Sequence, residues 1–147
     1  MTDLTLSALA AARASTAAPL PWHFALGIAF WVAGVTAARG LARAGMFAPA
    51  WQWAILIGTI PVAWLTVRCI RRLLRPSLAD LPQVTAIVSI PALLLDGMVM
   101  TAAPDLYSPD EPVRRAIAAW LLWFVGVALA VALTMRARNG LTQETFL

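Results

Sequence analysis

One carboxyl group dominates the chemistry available to this chain. Asp96 lies inside the apolar run Ile87–Ala103, seven or eight residues from its end. In a membrane-spanning helix, at about 1.5 Å per residue, that depth is roughly 12 Å below the surface. A carboxylate so placed costs about 2.5–3.5 kcal/mol on insertion scales, so it must face protein or water and have a partner. Thr85, Ser89, Ala92 and Asp96 recur at helical spacing. They form one small, polar face that is expected to look into a helix bundle. Such a carboxyl is either a proton or cation site, or the anchor of an ion pair or hydrogen bond between helices. A proton path needs a relay of ionisable groups, and the apolar runs contain no second acid, which favours the anchor. Arg39 and Arg43 close the first apolar run, and Arg114 and Arg115 precede the fourth. All four are candidate partners, Arg39 first because its depth is nearest.

Other candidates carry less. Pro61 and Pro91 fall inside apolar runs, where each removes one backbone hydrogen bond and kinks its helix. They sit at similar depth, and paired interruptions can mark a transporter's midplane site, although proline is commonplace in membrane helices. Arg68, Arg71, Arg72 and Arg75 are spaced to share one face of a helical extension, and Pro76 is expected to stop that helix. The four guanidinium groups suit anionic lipid headgroups, at about 1 kcal/mol each, or an acidic partner subunit. His23 is the only histidine. It is a weak haem or pigment ligand candidate, and a packing or solvated role is the ordinary one. Cys69 is the only cysteine, beside Arg68 and Arg71, so no internal disulfide or multi-cysteine metal site is available. No Ser/His/Asp or Cys/His set, phosphate loop, HExxH or paired-carboxylate pattern occurs. The sequence thus points away from an enzyme and implies neither cofactor nor metal.

The elements that position these residues follow from composition. Of 147 residues, 61% are hydrophobic and 12% charged, with mean hydropathy +0.79. A soluble domain carries about 25% charged residues; this chain instead matches a bilayer as its solvent. The net charge of +4 comes from eleven arginines and no lysine, a bias typical of GC-rich bacterial genomes. Because these arginines cluster at the ends of apolar runs, they fit topology signals and not nucleic-acid binding. Prolines bound four stretches, expected as spans over 22–38, 51–67, 83–103 and 116–135. Each is long enough to cross about 30 Å of hydrocarbon, and in lipid only helices satisfy their own backbone. Val35-Thr36-Ala37 would pass as a signal-peptidase site, but the first run reads as a retained span. Residues 1–20 form a flexible or interfacial cytoplasmic segment, 21–138 the transmembrane domain and 139–147 a cytoplasmic tail.

The expected architecture is an all-α, four-helix antiparallel membrane bundle with both ends in the cytoplasm. Short connections suggest that consecutive helices are neighbours. With the N-terminus inside, seven arginines (13, 68, 71, 72, 75, 136 and 138) face the cytoplasm against four outside. Trp51, Trp53, Trp120 and Trp123 would lie near the outer interface and Trp22 near the inner one, while Trp31 and Trp64 lie deeper and are expected to pack. Ala25, Ala29, Ala33 and Ala37, Ala54 with Gly58, and Gly126 with Ala130 give small-residue faces that let helices approach closely.

Ile90-Pro91-Ala92-Leu93-Leu94-Leu95-Asp96-Gly97, followed by Ala118-Ala119-Trp120-Leu121-Leu122-Trp123, resembles a pattern of small bacterial four-span proteins that form a family of unknown function. The second span, with Pro61 and then Trp64, is similar too, so the resemblance covers about residues 24–135. It implies four spans and singles out Asp96; it implies no reaction. The expected location is the bacterial cytoplasmic (inner) membrane. Deep polar side chains are few, chiefly Thr59, Ser89 and Asp96. That favours a non-catalytic accessory or structural subunit of a larger inner-membrane complex, with other membrane subunits and anionic lipid as partners. The alternative is a small oligomeric transporter or channel using Asp96.

Overall fold

The computed structural model describes residues 19–144, with side chains to residue 138. Four long helices dominate: α1 (Leu20–Arg43), α2 (Gln52–Leu74), α3 (Leu81–Ala102) and α4 (Glu111–Glu144). Short 3₁₀ turns at Pro49–Trp51 and Pro104–Leu106 lead toward α2 and α4. All four helices are long and apolar enough to cross a membrane. The expected segment 1–20 falls almost wholly outside the described residues. Part of the expected tail, up to Glu144, continues α4 as helix.

The helices overrun the apolar stretches because arginine is itself a good helix former. α1 continues through Arg39 and Arg43, and α2 through Arg68, Arg71 and Arg72. Proline sets the boundaries: it occupies the first turn of α1 and α3, where its missing N–H costs nothing. α2 stops at Leu74, and Arg75 takes a left-handed conformation (φ 50°, ψ 41°) whose N–H reaches the Arg71 carbonyl at 3.1 Å. Pro76 is the reason, since it disfavours right-handed helix in the residue before it. Arg75 therefore leaves the helix, and only Arg68, Arg71 and Arg72 of the expected basic face remain on α2.

Packing departs from the expected neighbour order. α1 packs on α3, α2 on α4 and α3 on α4, whereas α2 touches α3 only slightly. The two strongest contacts thus join helices that run in the same direction, two apart in sequence. At α1–α3 the backbones come close: a Cβ on Gly27 would overlap the Val88 carbonyl and the Pro91 ring. Pro91 is buried there, while Pro61 is exposed on the outside of α2. The two prolines do not face one another, and both helices run unbroken through them. At α2–α4 the seam is Ala63 and Val67 against Ala128 and Ala132, joined by Leu81 of α3.

The small-residue faces named from sequence lie elsewhere. Ala25, Ala29, Ala33, Ala37, Ala54, Gly58, Gly126 and Ala130 are all exposed. Cβ atoms added at Gly58 or Gly126 would meet nothing.

Candidate functional site

Asp96 sits on the bundle-facing side of α3, with Thr85 buried and Ser89 and Ala92 half-buried below it. The inward polar face is as the spacing predicts. Its partners differ. Trp31 of α1 donates its indole N–H to Asp96 Oδ1 at 2.9 Å. Tyr107, in the connection to α4, donates its hydroxyl to the same oxygen. Three elements are thereby tied at one carboxyl group: α1, α3 and the α3–α4 connection. Tyr107 is 2% exposed and packs in a cluster with Val35, Ala38 and Ile117.

The expected arginine partner is a correction. Arg39 donates instead to the Leu106 carbonyl at 2.9 Å. Arg114 donates to the carbonyls of Ser108 (2.9 Å) and Pro109 (2.7 Å) and lies 3.5 Å from Asp105. Arg115 pairs with Glu111 across one helical turn at 3.1 Å, with both side chains exposed. The physical reason is desolvation. Drawing a guanidinium into the bilayer strips its water at a cost of several kcal/mol, whereas indole and phenol donors carry no charge to desolvate. The arginines keep their heads at the interface and bond loop carbonyls there.

Burial, and then the hydrogen bond to and charge of Asp96, push the Tyr107 phenol above the ordinary tyrosine value. Tyr107 is the residue that sequence reasoning overlooked, and Trp31 was read only as packing. The usable signal was depth. Trp31 and Asp96 each lie seven residues before the expected outer end of their span, at 38 and 103.

The hydroxyls within the spans and His23 are committed locally. Thr59 donates to its own helix at Ile55 (2.7 Å) and accepts the Trp120 indole N–H at 2.7 Å. Thr85 and Ser89 turn their hydroxyls back onto the Leu81 and Thr85 carbonyls. His23 is buried, and its Nδ1 lies 3.2 Å from the Pro19 carbonyl as an N–H donor. Half of its bonding capacity is spent on structure. Among the described residues no group of three or more His, Cys, Asp or Glu could hold a metal ion. Arg68, Arg71 and Arg72 are exposed, and the Arg68 guanidinium sits 4.5 Å over the Trp64 ring. Trp64 is exposed rather than packed as expected, so this pair lies on the outside of the bundle.

Four apolar spans, packed as one bundle around an inward-facing carboxyl group, define a multi-pass α-helical membrane protein. Comparison with known proteins gives no match: no family model, no curated sequence and no solved structure aligns with the chain.

Proposed function

We propose that the protein is a non-catalytic accessory subunit of a larger complex in the bacterial inner membrane. One observation carries this reading: the three small-residue faces are all turned outward, away from the chain's own seams. In lipid, helices associate through close backbone approach at small residues, and here the internal seams use a different set, Gly27, Ala38, Ala63, Ala128 and Ala132. The outward set can receive helices of other subunits. Both chain ends lie in the cytoplasm, and the exposed arginines of α2 contact anionic headgroups at that interface.

Transport fits less well. A path across the bilayer needs polar groups that present themselves to a solute, and the hydroxyls of Thr59, Thr85 and Ser89 are committed to their own helices. Asp96 spends an oxygen on two structural donors.

The test is the size of the assembly extracted from native membranes in mild detergent. The reading expects a particle larger than the monomer that collapses when Ala29→Leu and Ala33→Leu fill the α1 face. Leu94→Ala, on an exposed bulky face, leaves the particle intact. A monomer in native extracts, or an assembly indifferent to filling any of the three small-residue faces, contradicts it.

A further inference from the structure

The end of the bundle that carries Tyr107 also holds an open cavity of about 370 Å³, between the last turn of α1, the α3–α4 connection and the start of α4. That volume lies in the ordinary range for a small-molecule site, about 300–1,000 Å³. Its charges are arranged by sign. Arg39 and Arg43 are one turn apart on α1; Asp105 and Asp110 stand on the connection across from them. Most of that charge is unspent. Neither Arg39 nor Arg43 pairs with a carboxylate among the described residues, and Asp110 has no ion pair either. Arg39 gives one N–H to Leu106 and keeps the rest of its fork. Asp105 shares one oxygen with Arg114 at 3.5 Å and is otherwise largely exposed. Tyr107 lines the cavity while its hydroxyl is turned onto Asp96.

We propose that this cavity binds the phosphoethanolamine headgroup of a zwitterionic phospholipid. Two guanidinium groups one helical turn apart match a phosphate, which arginine binds with charge-assisted, often bidentate bonds. The Asp110 carboxylate, with Asp105 also lining the cavity, takes the primary ammonium. Placement selects a headgroup over a solute from bulk water. The cavity sits at the span ends, at the same end of the bundle as the exposed Trp51 and Trp53, and such aromatic side chains mark the headgroup layer. Valence selects ethanolamine. Glycerol offers the carboxylates no cation, and a quaternary choline has no N–H to give and is recognised by aromatic cages. Here the one aromatic wall, Tyr107, is 2% exposed.

The test uses purified full-length protein titrated with short-chain phosphatidylethanolamine, phosphatidylglycerol and phosphatidylcholine, read by native mass spectrometry. Phosphatidylethanolamine is expected to bind tightest. Arg43→Gln weakens all three, and by about tenfold for ethanolamine lipid, the loss of one charge-assisted bond. Asp110→Asn weakens ethanolamine lipid alone and erases its advantage over the glycerol lipid. Both residues are exposed, and an unchanged melting temperature checks that each variant is folded. Competition by soluble glycerophosphoethanolamine at equal concentration assigns the same group to a soluble source; a requirement for acyl chains assigns it to lipid. Equal binding of the three lipids by the wild type overturns the proposal, as does an Asp110→Asn variant that keeps the ethanolamine preference. Neither result touches the accessory-subunit reading, which rests on the small-residue faces.

Discussion

The α1–α3 and α2–α4 contacts solve one problem in two ways. Each joins two helices running in the same direction, and neither pair is consecutive in the chain. At α1–α3 a glycine admits the Pro91 ring and the α3 backbone, and the Asp96 carboxyl group then ties in the Trp31 indole and the Tyr107 hydroxyl. At α2–α4 alanine and valine make an apolar seam, with two tryptophan bonds, Trp120 to the Thr59 hydroxyl and Trp123 to the Leu56 carbonyl at 3.1 Å. The first contact gathers two donors onto one carboxyl oxygen; the second rests mainly on shape, its two indole bonds going to separate acceptors. The difference lies in what each forfeits when one atom is removed: a polar junction loses its partners' satisfaction, an apolar seam only contact area.

Removing the junction is the most damaging change. Asp96→Ala leaves two donors without an acceptor, each costing about 1–3 kcal/mol, so thermal unfolding in detergent should shift down sharply. Asp96→Asn keeps an acceptor oxygen and recovers much of the loss. Next comes Gly27→Ala, whose Cβ meets α3 backbone that cannot swing away; overpacking of this kind costs about 1–3 kcal/mol. Gly126→Ala, in open space on α4, should change the melting of the isolated chain by no more than about 0.5 kcal/mol. Equal effects at Gly27 and Gly126 would erase the distinction between internal and outward small residues. On the apolar side, Thr59→Val removes the bond to Trp120 and should cost about 0.6 kcal/mol, the average for interhelical bonds in membranes.

Alkali sharpens the comparison further. The Tyr107 phenol titrates above the ordinary value of 10.0 when folded. Between that value and the folded one, the unfolded chain has lost a proton that the native state retains, so stability falls as pH rises through this window. Below pH 10 the contribution is fully present. A melting series across this range should show the decline in the wild type and a smaller one in Tyr107→Phe, which also lowers stability at neutral pH.

The four spans were legible because proline and arginine punctuate apolar runs, and both act locally: proline at the first turns of α1 and α3, Pro76 through the left-handed Arg75. Asp96 was legible because a lone acid in an apolar run is rare. Its partners were not, since Trp31 is 65 residues away and Tyr107 eleven, and opposite charge suggested Arg39. Charge complementarity ranks partners correctly in water; in a bilayer, neutral donors avoid the cost of desolvating a cation. Helix adjacency was also hidden. Short connections set direction but not which neighbour a helix prefers, and that choice depended on Gly27 fitting against Val88 and Pro91.

We infer that the half-buried carboxyl group holds the bundle together and moves nothing across it. Proton flux into liposomes containing the purified protein, driven by an imposed pH gradient and followed with an internal pH-sensitive dye, tests this directly. The account predicts flux equal to that of protein-free liposomes for both the wild type and Asp96→Asn. Flux above that background in the wild type, lost in a folded Asp96→Asn variant, would contradict it and make Asp96 a transport residue.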